Sequence, residues 1–150
     1  LLCGLGCRDS LRVEAGLSLY GNEINEDITP IQANLSWAID KKRLDDENLN
    51  GSNILLQQLQ ETKDTVKIGI TPVNKTMLRN NMTLHNMEKN EIGYITSGCF
   101  SPTLKRSIGI GYINNFTNKL DKIFVKVRGE FEEVIIDNIP FVKKNYKKGG

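Results

Sequence analysis

The stretch IGYITSGCFSPTLKRSIGIGYI, residues 92–113, decides the fold. Residues 92–96 form a short apolar run closed by Ser97 and Gly98, and residues 108–113 form a second. Short apolar runs bounded by turn residues read as strands. Upstream, Val66, Ile68 and Ile70 alternate with Lys67 and Gly69; downstream, Ile123, Val125 and Val127 alternate with Phe124, Lys126 and Arg128, and the run 131–136 precedes Ile139-Pro140-Phe141-Val142. Successive side chains of a strand point to opposite faces, so this period of two marks half-buried strands. Five or six short strands in about eighty residues after Lys63 predict a small antiparallel β-barrel, jelly-roll-like in character. Residues 74–90, rich in Asn and Lys, read as its long polar loop, with His85 exposed on it. Gly109 and Gly111 lie inside a strand pattern with no GxGxxG spacing and no following helix, so they carry no dinucleotide signal. They read instead as small residues for close packing or strand curvature.

Before the strands the texture is different. Gly4-Leu5-Gly6 leads into a helix predicted over residues 8–20, with Asp9 or Ser10 as cap, Leu11, Ala15 and Leu17 or Ser18 at helical spacing, Arg12 and Glu14 elsewhere, and Gly21-Asn22 as the stop. After Pro30, Ile31, Ala33, Leu35 and Trp37 alternate with polar residues, which predicts a half-buried strand with Trp37 on its apolar face. Lys41-Lys42-Arg43 and Asp45-Asp46-Glu47 read as a solvated linker, placing a boundary within residues 41–50. Gly51-Ser52 then starts a short amphipathic helix over residues 53–62.

Composition narrows the function classes. A chain of 150 residues, 39% hydrophobic and 25% charged, supports one globular core and little more. Twenty Lys and Arg against eighteen Asp and Glu leave a net charge of +2, too balanced and dispersed for a dedicated nucleic-acid binder. No apolar run approaches the length of a membrane-spanning helix, so a soluble protein without membrane partners is expected. Cys3, Cys7 and Cys99 are an odd set without CxxC spacing, and with one histidine they suggest neither a disulfide framework nor a metal site. They read as small semi-buried packing residues of a reducing compartment. Sequons begin at Asn34, Asn50, Asn74, Asn81 and Asn115, but Asn is abundant throughout. The first residue is Leu1, with no targeting pattern after it, and the chain is expected to be a piece of a longer one.

Three features suggest chemistry. Arg8 lies between a glycine-rich turn and a helix start, where a fixed backbone can aim a guanidinium at a carboxylate; a plain exposed first-turn residue is the alternative. Trp37 is either a core residue or an aromatic wall for a flat heterocycle. Four lysines around Tyr146 form either an anion-attracting tail or a merely solvated one.

Taken together, GLGCRDSLRVEAGLSLYGNEI (residues 4–24), DITPIQANLSWAI (27–39), residues 92–113 and IPFVKKNY (139–146) resemble the glycine cleavage system T-protein family of aminomethyltransferases. The first and third blocks are the specific ones, matching GLGxRDxLRLEAGLxLYGxD and IGxVTSGxxSPxL. The blocks span nearly the whole chain but only the family's C-terminal half. The resemblance implies a three-lobed ring with folate in its central cavity and a jelly-roll barrel as last lobe. On that basis the chain is an α+β fragment, residues 1–50 ending the folate-binding aminomethyltransferase domain and residues 51–150 forming the C-terminal β-barrel domain.

The implied activity takes the aminomethyl group from the lipoyl arm of the H-protein and, with tetrahydrofolate as co-substrate, yields 5,10-methylenetetrahydrofolate, ammonia and the dihydrolipoyl arm. The lipoylated H-protein is the implied partner, with a mitochondrial setting in a eukaryote and a cytoplasmic one otherwise. Carried over by position, Arg8 matches the arginine at the folate and substrate site, Trp37 the tryptophan flanking folate, and Tyr146 a substrate-binding tyrosine. The family's catalytic aspartate and pterin-binding glutamate precede the first block, so no catalytic residue is assigned and the chain alone is expected to be inactive. Cys7 departs from the usual small residue before the arginine. Met77-Leu78-Arg79-Asn80 replaces Pro-x-Arg-Gly, with Asn80 standing at the left-handed glycine, and residues 118–121 replace an expected Gly-Thr. Alternatives are a folate-binding module of the sarcosine or dimethylglycine dehydrogenase type, an iron–sulfur assembly factor, or a degenerate structural relative.

Overall fold

The computed structural model of the protein describes residues 2–44, 49–60, 65–114 and 122–143. Helix α1 (Leu5–Glu14) and helix α2 (Ser52–Gln60) precede six strands: β1 (Thr65–Pro72), β2 (Thr83–His85), β3 (Glu91–Ser101), β4 (Arg106–Asn114), β5 (Ile123–Val127) and β6 (Glu130–Asp137). The strands close into a barrel in the order β1-β4-β3-β2-β5-β6, every pair antiparallel. Closure leaves no strand edge unpaired, which suits short strands that could not stand as an open sheet.

Two apolar clusters organise the molecule. Ile68, Ile70, Leu84, Ile95, Ile113, Val125 and Val134 belong to the barrel core, together with the loop residue Leu78. Val13 of α1 packs with Ile108 and Ile110 in a second cluster on the outer wall, joined by Ile139 and Phe141. Strand β4 therefore faces the core on one side and the helix on the other, and Ser107 through Ile113 are all buried. A strand covered on both faces needs no polar alternation, which is why residues 108–113 read as a continuous apolar run. The two glycines of this strand answer to packing, as expected. A Cβ on Gly111 would stand 2.5 Å from the Tyr94 carbonyl oxygen and 3.0 Å from Ile70 Cδ1, and one on Gly109 would stand 3.1 Å from Leu78 Cδ1.

Several sequence expectations are corrected. Helix α1 starts three residues earlier than predicted and ends at Glu14, not at Tyr20. Its end is set by Gly16 at φ +68, where the Gly16 N–H bonds to the Val13 carbonyl and the Leu17 N–H reaches back to that of Arg12, the paired pattern that closes a helix through a left-handed residue. Asp9 and Ser10 are inside the helix, and its N-cap is Gly4, without a side-chain cap. The strand expected across residues 31–37 is a turn followed by a 3₁₀ segment, Ser36–Ala38. Asn34 sits at φ +58 and the Leu35 N–H bonds to the Pro30 carbonyl, so Ile31 and Ala33 are buried by a tight turn while Trp37 stands 81% exposed.

Strand β3 runs on through Ser97 and Gly98, with a register irregularity between Ile95 and Ser97. The loop expected over residues 74–90 contains β2, which joins β3 to β5 through Leu84. His85 is buried on that strand, bonded to Thr83 Oγ1 and the Lys89 carbonyl and set edge-on against Phe131. The left-handed position in this segment is Asn81, not Asn80. Cys3 and Cys7 are exposed and only Cys99 is half-buried. The predicted end of α2 beyond residue 60, the acidic half of the linker and residues 118–121 lie outside the described residues.

Overpacking a filled core costs about 1–3 kcal/mol, so Gly111→Ala is expected to lower the unfolding free energy by that amount in urea titrations. Gly6→Ala, which meets nothing within 4 Å, leaves stability unchanged or raises it by up to about 1 kcal/mol. Equal effects at the two positions would count against this packing of β4.

Candidate functional site

Arg8 and Arg12 are four residues apart on α1 and fall on neighbouring turns, yet their surroundings differ completely. Arg12 is 8% exposed and points at the barrel. Its Nη1 donates to Glu23 Oε2 at 2.8 Å, its Nη2 to Ser97 Oγ at 2.8 Å, and its Nε to Asp9 Oδ1 at 2.8 Å. Glu23 is fully buried. Its Oε2 also accepts the Leu19 N–H at 2.9 Å, while Oε1 accepts the hydroxyls of Thr96 and Ser97. Tyr112 donates its hydroxyl to the Glu23 carbonyl at 2.7 Å, and burial holds that phenol well above its ordinary pKa.

Two further charges join helix and barrel. Glu14 accepts hydrogen bonds from Ser101 Oγ, Thr103 Oγ1 and the Thr103 N–H. Burial alone would raise its pKa, but these three donors outweigh it and the carboxyl lies below its ordinary value. Lys67 of β1 donates Nζ to the Gly16 carbonyl at 3.1 Å and to Ser18 Oγ at 2.6 Å, and burial lowers its pKa despite the nearby Glu23. Glu23 is surrounded by donors and has no idle oxygen to take a proton from a substrate. Arg12, Glu14, Glu23 and Lys67 are structural charges that fix how α1 sits on the barrel.

Arg8 lies one turn nearer the start of α1. It is exposed and has no hydrogen bond or ion pair among the described residues. It lines a groove of about 800 Å³, shared by α1, the extended segment that follows it and the chain beyond β6. Leu11, Leu17 and Val142 give the groove apolar walls, and Lys143 adds a second cation. The Val142 N–H bonds to the Glu14 carbonyl at 3.2 Å, which holds the end of the barrel domain against the helix. Two cations beside apolar walls suit a ligand with both an anionic and an apolar part.

Of the residues singled out from sequence, Arg8 is therefore placed on a groove. Trp37 is exposed and does not line it, and Tyr146 lies outside the described residues, as do Lys144, Lys147 and Lys148. The sequence reading missed Lys143 as a groove residue separate from its tail, and it missed the buried network. The one available signal for the network was Arg12 and Glu14 flanking Val13, since charges beside a buried position need partners. Among the described residues no helix is long and apolar enough to cross a membrane.

Comparison with known proteins adds a second line of observation. The family model for the glycine cleavage T-protein C-terminal barrel domain matches residues 63–143, and that for the GCVT N-terminal domain matches residues 1–43. The chain is 40% identical over 148 residues to the mitochondrial aminomethyltransferase of Pisum sativum, covering 98% of this chain and 36% of that protein. It is 37% identical over 146 residues to the mitochondrial aminomethyltransferase of Homo sapiens, covering 97% of this chain and again 36% of the relative. The chain thus spans little more than a third of the length of these curated relatives. The crystal structure of the glycine cleavage system aminomethyltransferase T from Bartonella henselae is similar with a TM-score of 0.88 at 35% identity, covering 97% of this chain and 40% of that one.

Removing one partner of a buried ion pair costs about 3–5 kcal/mol because the other charge is left uncompensated. Arg12→Met is expected to lose that much in urea unfolding, whereas Arg8→Met loses less than about 0.5 kcal/mol. Glu14 makes an acid-limb prediction. Its folded pKa lies below the ordinary 4.5, so its stabilisation is present above pH 4.5 and is lost as pH falls through the folded value. Glu14→Gln flattens the loss of stability with falling pH in that window, and an unchanged acid limb would refute the assignment.

Proposed function

We propose that this chain, which belongs to the glycine cleavage T-protein family, serves a tetrahydrofolate-dependent aminomethyltransferase. In that reaction the aminomethyl carbon leaves the lipoyl sulfur of the H-protein and bridges two nitrogens of tetrahydrofolate, with release of ammonia and the dihydrolipoyl arm. The observation that carries the reading is the exposed guanidinium of Arg8, without a partner among the described residues, on the same apolar-walled groove as Lys143. A folate has a flat pterin and a carboxylated glutamate tail. The two cations suit the carboxylates, and the apolar walls suit the uncharged part.

By position in the family, Trp37 is the proposed aromatic neighbour of the pterin and Tyr146 a further substrate contact, although Trp37 does not line the Arg8 groove. Residues 1–50 belong to the folate-binding part and residues 51–150 to the barrel part. The lipoylated H-protein is the partner, and the setting is mitochondrial in a eukaryote and cytoplasmic otherwise, in keeping with the mitochondrial relatives. No side chain described above is free and placed to act as the acid or base on folate, so the 150 residues alone bind but do not turn over. The aminomethyltransferase names of relatives matched across nearly the whole chain favour this reading over other folate-binding modules.

Calorimetric titration of tetrahydrofolate into the polypeptide that carries this sequence, beside its Arg8→Ala variant, tests the proposal. Micromolar affinity weakened at least about tenfold in the variant, a loss of about 1.4 kcal/mol, is the expected outcome. Equal affinity in both would remove Arg8 from the folate site.

A further inference from the structure

We propose that Asn50 is a site of spontaneous covalent modification: the backbone nitrogen of Gly51 displaces its side-chain amide, leaving a mixture of aspartate and isoaspartate just ahead of α2. Asn50-Gly51 is the one Asn-Gly pair in the sequence. Every other asparagine is followed by a residue with a side chain, which crowds the ring that such an attack must close. Asn50 and Gly51 are both exposed, and nothing lies within 4 Å of the place where a Cβ on Gly51 would stand. Gly51 sits at φ +82, where residues with a side chain are strained, so the turn itself keeps glycine here.

The hydrogen bonds around the pair leave both reacting groups free. The Ser52 N–H bonds to the Leu49 carbonyl at 3.1 Å and the Leu55 N–H to the Gly51 carbonyl at 3.0 Å. The helix ladder therefore begins on the Gly51 oxygen and does not engage its nitrogen. Among the described residues neither the Gly51 N–H nor the Asn50 side-chain amide has a hydrogen-bond partner. Other asparagines are held in place by theirs. Asn22 Nδ2 donates to Ser97 Oγ at 3.0 Å, Asn74 Nδ2 donates to Glu132 Oε2 at 2.9 Å, and Asn86 Oδ1 accepts the Asn90 N–H at 2.9 Å. Asn50 is free to turn its Cγ toward the next backbone nitrogen.

The reaction consumes water and releases ammonia, with no change of oxidation state. Hydroxide removes the Gly51 N–H proton, and the nitrogen attacks Asn50 Cγ. The bond from Cγ to the side-chain nitrogen breaks, and ammonia leaves with a proton from water, which restores the hydroxide. Water then opens the cyclic imide at either carbonyl. Opening at the backbone carbonyl routes the main chain through the former side chain, one methylene longer, and this product is isoaspartate. Either product places a carboxylate ahead of α2, whose first turn has no acidic residue, and negative charge is favourable at that end of a helix. Isoaspartate also lengthens the lead into α2, which Gln58 ties to Thr29 Oγ1 through a 2.6 Å bond. The Arg12 and Glu23 network draws on none of these residues, so the change is confined to the junction ahead of the barrel.

The test incubates the full polypeptide at mildly alkaline pH, cleaves it with trypsin beside a sample digested at once, and follows the peptide of residues 44–63 by mass spectrometry. That peptide also holds Asn48 and Asn53, which serve as internal controls. The expected result is the mass gain of an amide exchanged for an acid, in two chromatographic forms, with fragment ions placing it on Asn50. Its rate follows hydroxide concentration and lies within about tenfold of the rate in the chain unfolded by guanidinium, since the pair needs no unfolding to react. Asn50→Gln, whose longer side chain would have to close a larger ring, is expected to keep its amide over the same period. Protection of the native chain beyond that margin, a gain that falls first on Asn48 or Asn53, or an equal gain in Asn50→Gln would overturn the proposal.

Discussion

The buried pair of Arg12 and Glu23 is the constraint on which the rest of the arrangement depends. Alone, either charge would be costly to remove from water, and each becomes tolerable only with the other in place and its remaining lone pairs or protons met. Barrel residues meet them: Thr96 and Ser97 of β3 complete the Glu23 carboxylate, and Ser97 also takes the guanidinium. Helix and barrel therefore have one position in which all donors and acceptors are matched. No buried polar side-chain atom of the described residues lacks a partner. The Val13 cluster supplies apolar attraction, but attraction of that kind tolerates sliding. The directional bonds of Arg12, Glu14 and Lys67 do not.

Sequence reading recovered the barrel and lost the details that charges and turns decide. Strand β5 is found residue for residue, and β1, β4 and β6 differ from expectation only at their ends, because each carries several apolar residues in a clear pattern. Strand β2 has one buried aliphatic residue, Leu84, and no pattern can show in so short a segment. Residues 31–37 mislead for the opposite reason, since a tight turn can bury Ile31 and Ala33 just as a strand does. Gly16 and Gly21 both adopt positive φ, and the first of them ends α1. Apolar periodicity cannot say which glycine stops a helix.

The candidate site shows the same division. Arg8 was legible because its neighbours are a glycine-rich turn and a helix start, a local pattern. Arg12 was not, because its importance lies in contacts with residues far away in sequence, and a charge on a helix reads by default as solvated. The two arginines divide the work of α1: Arg12 is fastened inward by ion pairing, and that fastening fixes where the helix holds the groove residues Arg8 and Leu11. A helix held only by apolar contacts would present them less definitely.

The bond between the Val142 N–H and the Glu14 carbonyl has a kinetic meaning as well. It joins the first helix to the segment beyond the last strand, so one wall of the groove comes from each end of the described chain. Contacts of such long sequence separation pay their loop-closure entropy late, after the intervening strands have paired. The groove accordingly appears only with the completed barrel. A partly folded chain offers a ligand no such place to bind, so a ligand that occupied the groove would draw population toward the native state by mass action.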